Sequence, residues 1–244
     1  MIAAIIQARM GSSRLPNKVL MEIDGKISLK FMVDRVAKSN FIEKIIIATT
    51  TNKRDKVIVD FCIKNNILFY CGSENDVLDR YYQASKINDI KTIVRLTSDC
   101  PLIDPDQIDQ TIDLYFDKGV NYAANAVPPE VKKYPDGSDV EVFSFKDLTR
   151  AWIETKDIKD REHVTFYFWK RNNGFKTAML DNKYDWGKYR ITVDYKEDID
   201  LVRQIVRELK EQKKFGTTKE IVEILESNPE LIKINAMHSW GANW

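Results

Sequence analysis

Arg9, Arg14 and Lys18 fall within ten residues of one another in the segment Gln7-Ala8-Arg9-Met10-Gly11-Ser12-Ser13-Arg14-Leu15-Pro16-Asn17-Lys18. Gly11 lets the backbone come close to a ligand. Ser12 and Ser13 add small hydroxyl donors. Fixed cations, exposed amides and small hydroxyls are what a polyphosphate needs. A Walker loop would read GxxxxGK[ST] and a dinucleotide fingerprint GxGxxG, and neither occurs. Taken alone, the segment reads equally well as a solvated basic surface loop.

Carboxylates supply the complementary chemistry. Asp99 follows the apolar run Lys91–Leu96 and precedes Cys100-Pro101, where proline forces a sharp exit. Asp194 closes a second apolar run, Ile191-Thr192-Val193. Two carboxylates at two strand ends can hold one Mg²⁺, with water and phosphate oxygens completing its octahedron; a lone Asp after a strand is also a common cap or turn former. Asp139 and Glu141 are two apart in an alternating run, which predicts a shared strand face. With Asp136 they could bind acceptor hydroxyls or an amine, or form a solvated face. Arg80 reads as a phosphate contact or a surface ion pair. Ser98 is within reach of a base or sugar. Glu162 and His163 are expected to meet an acceptor, the histidine as a contact or a positioner of Glu162 rather than a base.

Buried strands must carry these loops. Ile2–Ile6 and Lys44–Thr50 are apolar runs suited to strands covered on both faces, and Ile67–Tyr70 and Lys91–Leu96 read likewise. Leu29–Ala37, Asp55–Lys64 and Asp76–Ser85 have helical spacing between them. The alternation predicts βαβ crossovers and a three-layer α/β/α fold with a mainly parallel sheet. Further on, Pro128, Pro129, Pro135 and Gly137 mark a long loop. Strands are predicted at Asp139–Phe143, Phe175–Leu180 and Tyr189–Val193. Helices are predicted at Phe145–Thr155, Arg161–Arg171, Glu197–Lys213 and Thr218–Ser227. No repeat or linker interrupts the 244 residues, which read as a single domain over 1–244 with an embedded subregion at 120–190 for acceptor binding and dimerisation.

Composition narrows the classes. Lys and Arg number 38 against 37 Asp and Glu, a balance unsuited to coating nucleic acid or an anionic membrane. The apolar start Met1–Ile6 is too short to span a bilayer and lacks a signal peptide's charged lead-in. Cys62, Cys71 and Cys100 show no CxxC spacing, which suggests reduced thiols in the cytoplasm. His163 and His238 are the only histidines, too few for a multi-histidine metal site.

The string Gly-Ser-Ser-Arg-Leu-Pro-x-Lys resembles the signature loop of the nucleotide-sugar nucleotidyltransferases. The fuller IIQARMGSSRLPNKVL resembles the cytidylyltransferase branch typified by the spore-coat polysaccharide biosynthesis protein F family, akin to the acylneuraminate and 3-deoxy-manno-octulosonate cytidylyltransferases. The likeness continues through Gly72–Tyr82, Arg95–Pro105, Tyr134–Gly137, Asp139–Phe143, Arg161–Thr165 and Arg190–Tyr195. Ile27-Ser28 replaces the family's usual Pro and apolar residue, and the tail ending at Trp244 carries no family motif. The resemblance implies a nucleotide-diphospho-sugar transferase (Rossmann-like) fold and CMP transfer from CTP to a sugar acid or phosphorylated acceptor. It implies Mg²⁺ on Asp99 and Asp194, and Lys18, Arg14 and Asp99 as catalytic groups. Nucleotide contacts would come from Ala8–Arg14, Lys18, Arg80 and Ser98, with the base against Gln7–Gly11 and Gly72–Arg80, and a homodimer is implied. Another base such as GTP, a metal-dependent glycosyltransferase and a non-catalytic nucleotide-binding regulator stay open. The glycosyltransferase would usually show Asp-x-Asp, where this chain has Ser98-Asp99-Cys100.

Overall fold

A computed structural model describes residues 1–126, 133–170 and 172–238. Pro128, Pro129, Arg171 and the tail from Ser239 lie outside the described residues. The first half follows the alternation: β1 (Ile2–Gln7), a β2–β3 hairpin (Glu22–Ile23, Lys26–Ile27), α1 (Ser28–Val36), β4 (Lys44–Thr50), α2 (Lys56–Lys64), β5 (Leu68–Gly72), α3 (Val77–Ile87) and β6 (Thr92–Thr97). Then come α4 (Pro105–Lys118), β7 (Tyr122–Ala124), β8 (Glu141–Ser144), α5 (Phe145–Glu154), α6 (Ile158–His163), α7 (Phe166–Trp169) and β9 (Thr177–Met179). The helices α8 (Lys196–Glu211), α9 (Thr218–Ser227) and α10 (Pro229–Lys233) finish the described chain.

The strands form a sheet in the order β5-β4-β1-β6-β8-β7-β9. The four on the β5 side are parallel, β8 is antiparallel to β6 and to β7, and β9 is parallel to β7. β1 is buried on both faces, as its unbroken apolar run requires. Ala4 and Ile6 join one core beneath α1, α2 and α4, while Ala3 and Ile5 join another beneath α3, α5 and α7. A third core packs α8, α9 and α10 against Leu15, Ile23 and Leu102. Arg35 fastens that layer to the sheet: Nε donates to Ile103 O (2.7 Å), and Nη2 and Nη1 donate to Gly216 O (2.6 Å) and Phe215 O (3.1 Å).

One helix is unforeseen and three expectations are corrected. Pro105–Lys118 is a helix that the apolar spacing did not reveal, opened by Asp104 accepting from Asp106 N and closed by Gly119 at φ +55°. Arg161–Arg171 is not one helix, because Val164 at φ 61°, ψ −56° separates α6 from α7 in a γ-turn with Thr165 N bonded to His163 O (2.6 Å). Tyr189–Val193 forms no ladder, only an isolated bridge from Arg190 to Asp136. The strand expected from Asp139 begins at Glu141.

Candidate active site

Gln7 pairs with Thr97, so β1 and β6 end level and their following loops emerge side by side. From β1 the chain builds outward to β4 and β5, then returns to place β6 on the other flank. The crevice between β1 and β6 is therefore a topological switch point, where open α/β sheets bind ligands. A cleft of about 450 Å³ opens there. Of the residues expected at a site, Ala8, Arg9, Gly11, Ser12, Ser13, Arg14, Lys18, Arg80, Ser98, Asp99, Glu162, His163 and Asp194 line it.

The loop is shaped by local bonds. Met10 N donates to Asp55 Oδ1 (2.7 Å) and Ser12 N to Met10 O (2.9 Å). Ser12 Oγ accepts from Leu15 N (3.2 Å). Met10 itself packs against the first core rather than lining the cleft. Asn17 takes φ 63°, a left-handed turn that asparagine tolerates, just before the 3-10 turn that begins with Lys18.

The loop's cations divide between two walls. Lys18 Nζ lies 2.9 Å from Asp194 Oδ1, 2.9 Å from Val193 O and 3.3 Å from Asp99 Oδ2. Arg14 Nη2 is also 2.9 Å from Asp194 Oδ1. Arg9 faces the opposite wall, 3.3 Å from Glu74. Burial works against the Lys18 ammonium, but the carboxylates of Asp99 and Asp194 outweigh it and hold its pKa above the usual lysine value. Burial likewise opposes ionisation of Asp99, yet Lys18 and the Thr97 hydroxyl keep its carboxyl below the usual range.

Asp194 has a scaffold that sequence reasoning missed. Its N–H and that of Tyr195 donate to Asp198 Oδ2, both at 2.9 Å, opening α8. Arg190 donates to Asp198 Oδ2 (2.9 Å), Asp136 Oδ2 (2.6 Å) and Asp194 Oδ2 (3.4 Å). The loop can lie this close because Gly137 stands at φ +100°, where a Cβ would come 2.3 Å from Thr192 N. Asp136 is thus engaged by Arg190, and Asp139 Oδ2 accepts from Gly137 N (3.1 Å) with Cys100 Sγ 3.6 Å away. Burial and then Asp139 push the Asp136 carboxyl up to about 8; burial pushes Asp139 up to about 6. Burial also raises the Cys100 thiol well above its usual value, so it is an inert packing group.

Two expectations about individual residues need correction. Glu141 does not face an acceptor with Asp139: it is 1% exposed, paired with Arg95, and accepts from Tyr122 OH (2.7 Å) and from the Thr165 hydroxyl. Period-two alternation holds only within a strand, and Asp139 precedes β8. Arg80 is no surface ion pair, being 2% exposed with Nη1 3.4 Å from Ala48 O. The His163 ring stacks on Phe166 with centroids 4.1 Å apart, and burial lowers its pKa.

Asp99, Asp194 and the Val193 carbonyl already surround one cation, the Lys18 ammonium. This all-oxygen donor set is of the kind Mg²⁺ takes. No three His, Cys, Asp or Glu among the described residues meet around a point. The chain would therefore offer a metal two carboxylates, leaving the rest of its shell to phosphate oxygens and water. Among the described residues no helix is long and apolar enough to cross a membrane.

The sequence model of a family described as Cytidylyltransferase matches residues 3–233. The spore coat polysaccharide biosynthesis protein SpsF of Bacillus subtilis is 32% identical over 238 residues, covering 94% of this chain and 95% of that one. A 3-deoxy-manno-octulosonate cytidylyltransferase of Geobacter metallireducens is 32% identical over 176 residues, covering 67% and 68%. A solved cytidylyltransferase structure from Leptospira borgpetersenii superposes with a TM-score of 0.88 at 31% identity, covering 95% of this chain and 96% of that one.

Proposed function

Because the chain belongs to the cytidylyltransferase family, we propose that it transfers CMP from CTP to a sugar acid or a phosphorylated acceptor, releasing pyrophosphate, in the building of a surface glycan. The nucleotidyltransferase class follows from the family; the acceptor class draws on the names of the relatives, which act in spore-coat polysaccharide synthesis and on 3-deoxy-manno-octulosonate. The carrying observation is the convergence of Lys18 and Arg14 with Asp99 and Asp194 at the β1–β6 switch point.

In this reading an acceptor oxygen attacks the α-phosphorus, a new P–O bond forms, and the bond to the β-phosphate oxygen breaks with pyrophosphate leaving. Such chemistry needs neutralised charge and in-line placement rather than a protein nucleophile. The amides of Gly11 and Ser13 and the hydroxyls of Ser12 and Ser13 hold phosphate oxygens. Lys18 and Arg14 exchange their carboxylate partners for the phosphates. Asp99 and Asp194 would hold Mg²⁺, which supplies charge neutralisation at the phosphate and acidifies an acceptor hydroxyl. The base lies against Gln7–Gly11 and Gly72–Arg80. Glu162 and His163 on α6 face the acceptor, with Asp136 and Asp139 at the edge of the carboxylate cluster. The segment 120–190, which adds β7, β8 and β9 to the sheet, forms the acceptor side and the contact of a homodimer working in the cytoplasm. Pyrophosphate release with CTP and a panel of sugar acids and sugar phosphates tests the proposal. Acceptor-dependent release from CTP supports it, while release with GTP alone would replace it with guanylyl transfer.

A further inference from the structure

We infer that the Gln7 side chain, oriented by the buried Arg95–Glu141 pair, is the specificity-determining contact that selects cytosine over uracil. The inference rests on the proposed reading that CTP is the donor with its base against Gln7.

Arg95 interrupts an apolar strand, and its guanidinium is only 5% exposed. Nη1 pairs with Glu141 Oε2, and Nη2 donates to Gln7 Oε1 at 3.3 Å. Glu141 Oε1 is held by Tyr122 OH and the Thr165 hydroxyl. Thr165 is itself fixed by the γ-turn at Val164, so the pair is gripped from three elements. An arginine has no acceptor, so Gln7 must turn its carbonyl oxygen toward Arg95. That orientation leaves the amide N–H groups for the cleft, which Gln7 lines. Among the described residues none accepts from them.

Arg95 and Arg80 line the cleft beside Gln7, but their Nε atoms are buried below its surface and make no hydrogen bond, so it is the Gln7 amide, not these atoms, that a base can reach. Cytosine presents N3 and O2 as adjacent acceptors. Uracil carries N–H at position 3, which would meet the Gln7 amide donor to donor. A site that pairs its polar groups with one ligand and opposes them to another discriminates strongly.

Calorimetric titration of the purified protein with CTP and with UTP, in Mg²⁺ and without acceptor, tests this. Wild type is expected to bind CTP at least about tenfold more tightly than UTP, a gap of about 1.4 kcal/mol. Gln7→Glu keeps the partner of Arg95 but lacks N–H groups, and its carboxylate accepts from uracil N3–H. Its CTP/UTP ratio is expected to fall to one or below. Gln7→Met, of similar size, removes the donor and is expected to bring CTP down to the UTP level. Arg95→Lys loses the planar fork that spans Glu141 and Gln7. It is expected to narrow the ratio several-fold with UTP affinity unchanged. A merely structural role would weaken both nucleotides together and leave each ratio intact. Variants that fold, by circular dichroism, and keep the wild-type ratio would overturn the inference alone. A wild type without CTP preference would overturn the cytidylyl reading, and the inference with it.

Discussion

The two ends of the cleft solve opposite problems. At one end Asp99 and Asp194 face Lys18 and Arg14, with Arg190 behind them on Asp136 and Asp198, so each of these cations already has an internal partner. At the other end one ion pair, Arg95–Glu141, lies beneath the floor, and the Gln7 side chain that it orients lines the cleft. In the proposed reaction the first end exchanges partners when phosphates arrive. A charged end of this kind suits a reaction in which charge builds at phosphorus, because opposing ions stay in place until the ligand replaces them.

Breaking the charged end should have the largest effect. Asp99→Asn and Asp194→Asn are each expected to abolish Mg²⁺-supported turnover, since an amide brings no charge to the cation; steady-state pyrophosphate release checks this, and near-normal rates in either variant would remove its carboxylate from the metal site. Next comes Lys18→Ala, expected to lower turnover on the order of 10²–10³-fold, as the loss of a preorganised transition-state charge does. Activity within about threefold of wild type, roughly 0.7 kcal/mol, would sink the role of Lys18. The same side chain gives a sharper test without turnover. Since it bridges the two carboxylates, Lys18→Met should bind Mn²⁺ without nucleotide more tightly than wild type, read by electron paramagnetic resonance.

At the other end the strongest effect falls on stability. Glu141→Ala leaves a buried guanidinium without its counter-ion, which typically costs about 3–5 kcal/mol. Denaturant unfolding should show that loss, whereas removing Glu74, whose partners Arg9 and Arg54 are exposed, should cost about 1 kcal/mol or less. Equal losses would erase the contrast between buried and exposed pairs.

Much of the charged end was legible because its groups sit in short contiguous strings after apolar runs. Gly11–Lys18 and Ser98-Asp99 are of that kind, and the βαβ order that places them follows from alternating periodicity. What escaped notice depends on chain segments far apart in sequence. Arg190 holds Asp136 across 54 residues, and nothing local marks it as a clamp. Arg95 did leave a trace, a full charge inside a run otherwise fit for a doubly covered strand, and such a charge needs a buried partner. Glu141 was misplaced because alternation was extended past the strand's first residue. The break at Val164 was hidden because a β-branched residue is the last type expected at positive φ. The helix α4 had a readable start, Asp104-Pro105, and a readable stop, Gly119; its stripe was obscured by buried Gln107 and Asp109.

The smallest expected effect concerns pH. The Asp139 carboxyl is pushed up to about 6 by burial. A carboxyl whose folded pKa lies above its unfolded value is most stabilising to the fold when protonated, so stability is lost as pH rises from about 4 to about 6. Relative to wild type, Asp139→Asn should melt progressively higher as pH rises through that window, because it removes this one loss. Identical slopes in differential scanning fluorimetry would mean that Asp139 does not titrate there.

In the proposed reading, cytidylyl transfer takes place at the end of the cleft that holds Lys18 and Asp194. The most direct measurement is acceptor-dependent pyrophosphate release from CTP by wild type and Lys18→Ala, run in parallel across a panel of sugar acids and sugar phosphates. The expected result is release that requires both CTP and one acceptor class, accompanied by a cytidylylated product, and that drops on the order of 10²–10³-fold in the variant. Release that is indifferent to Lys18, or that proceeds with GTP and not CTP, would contradict it.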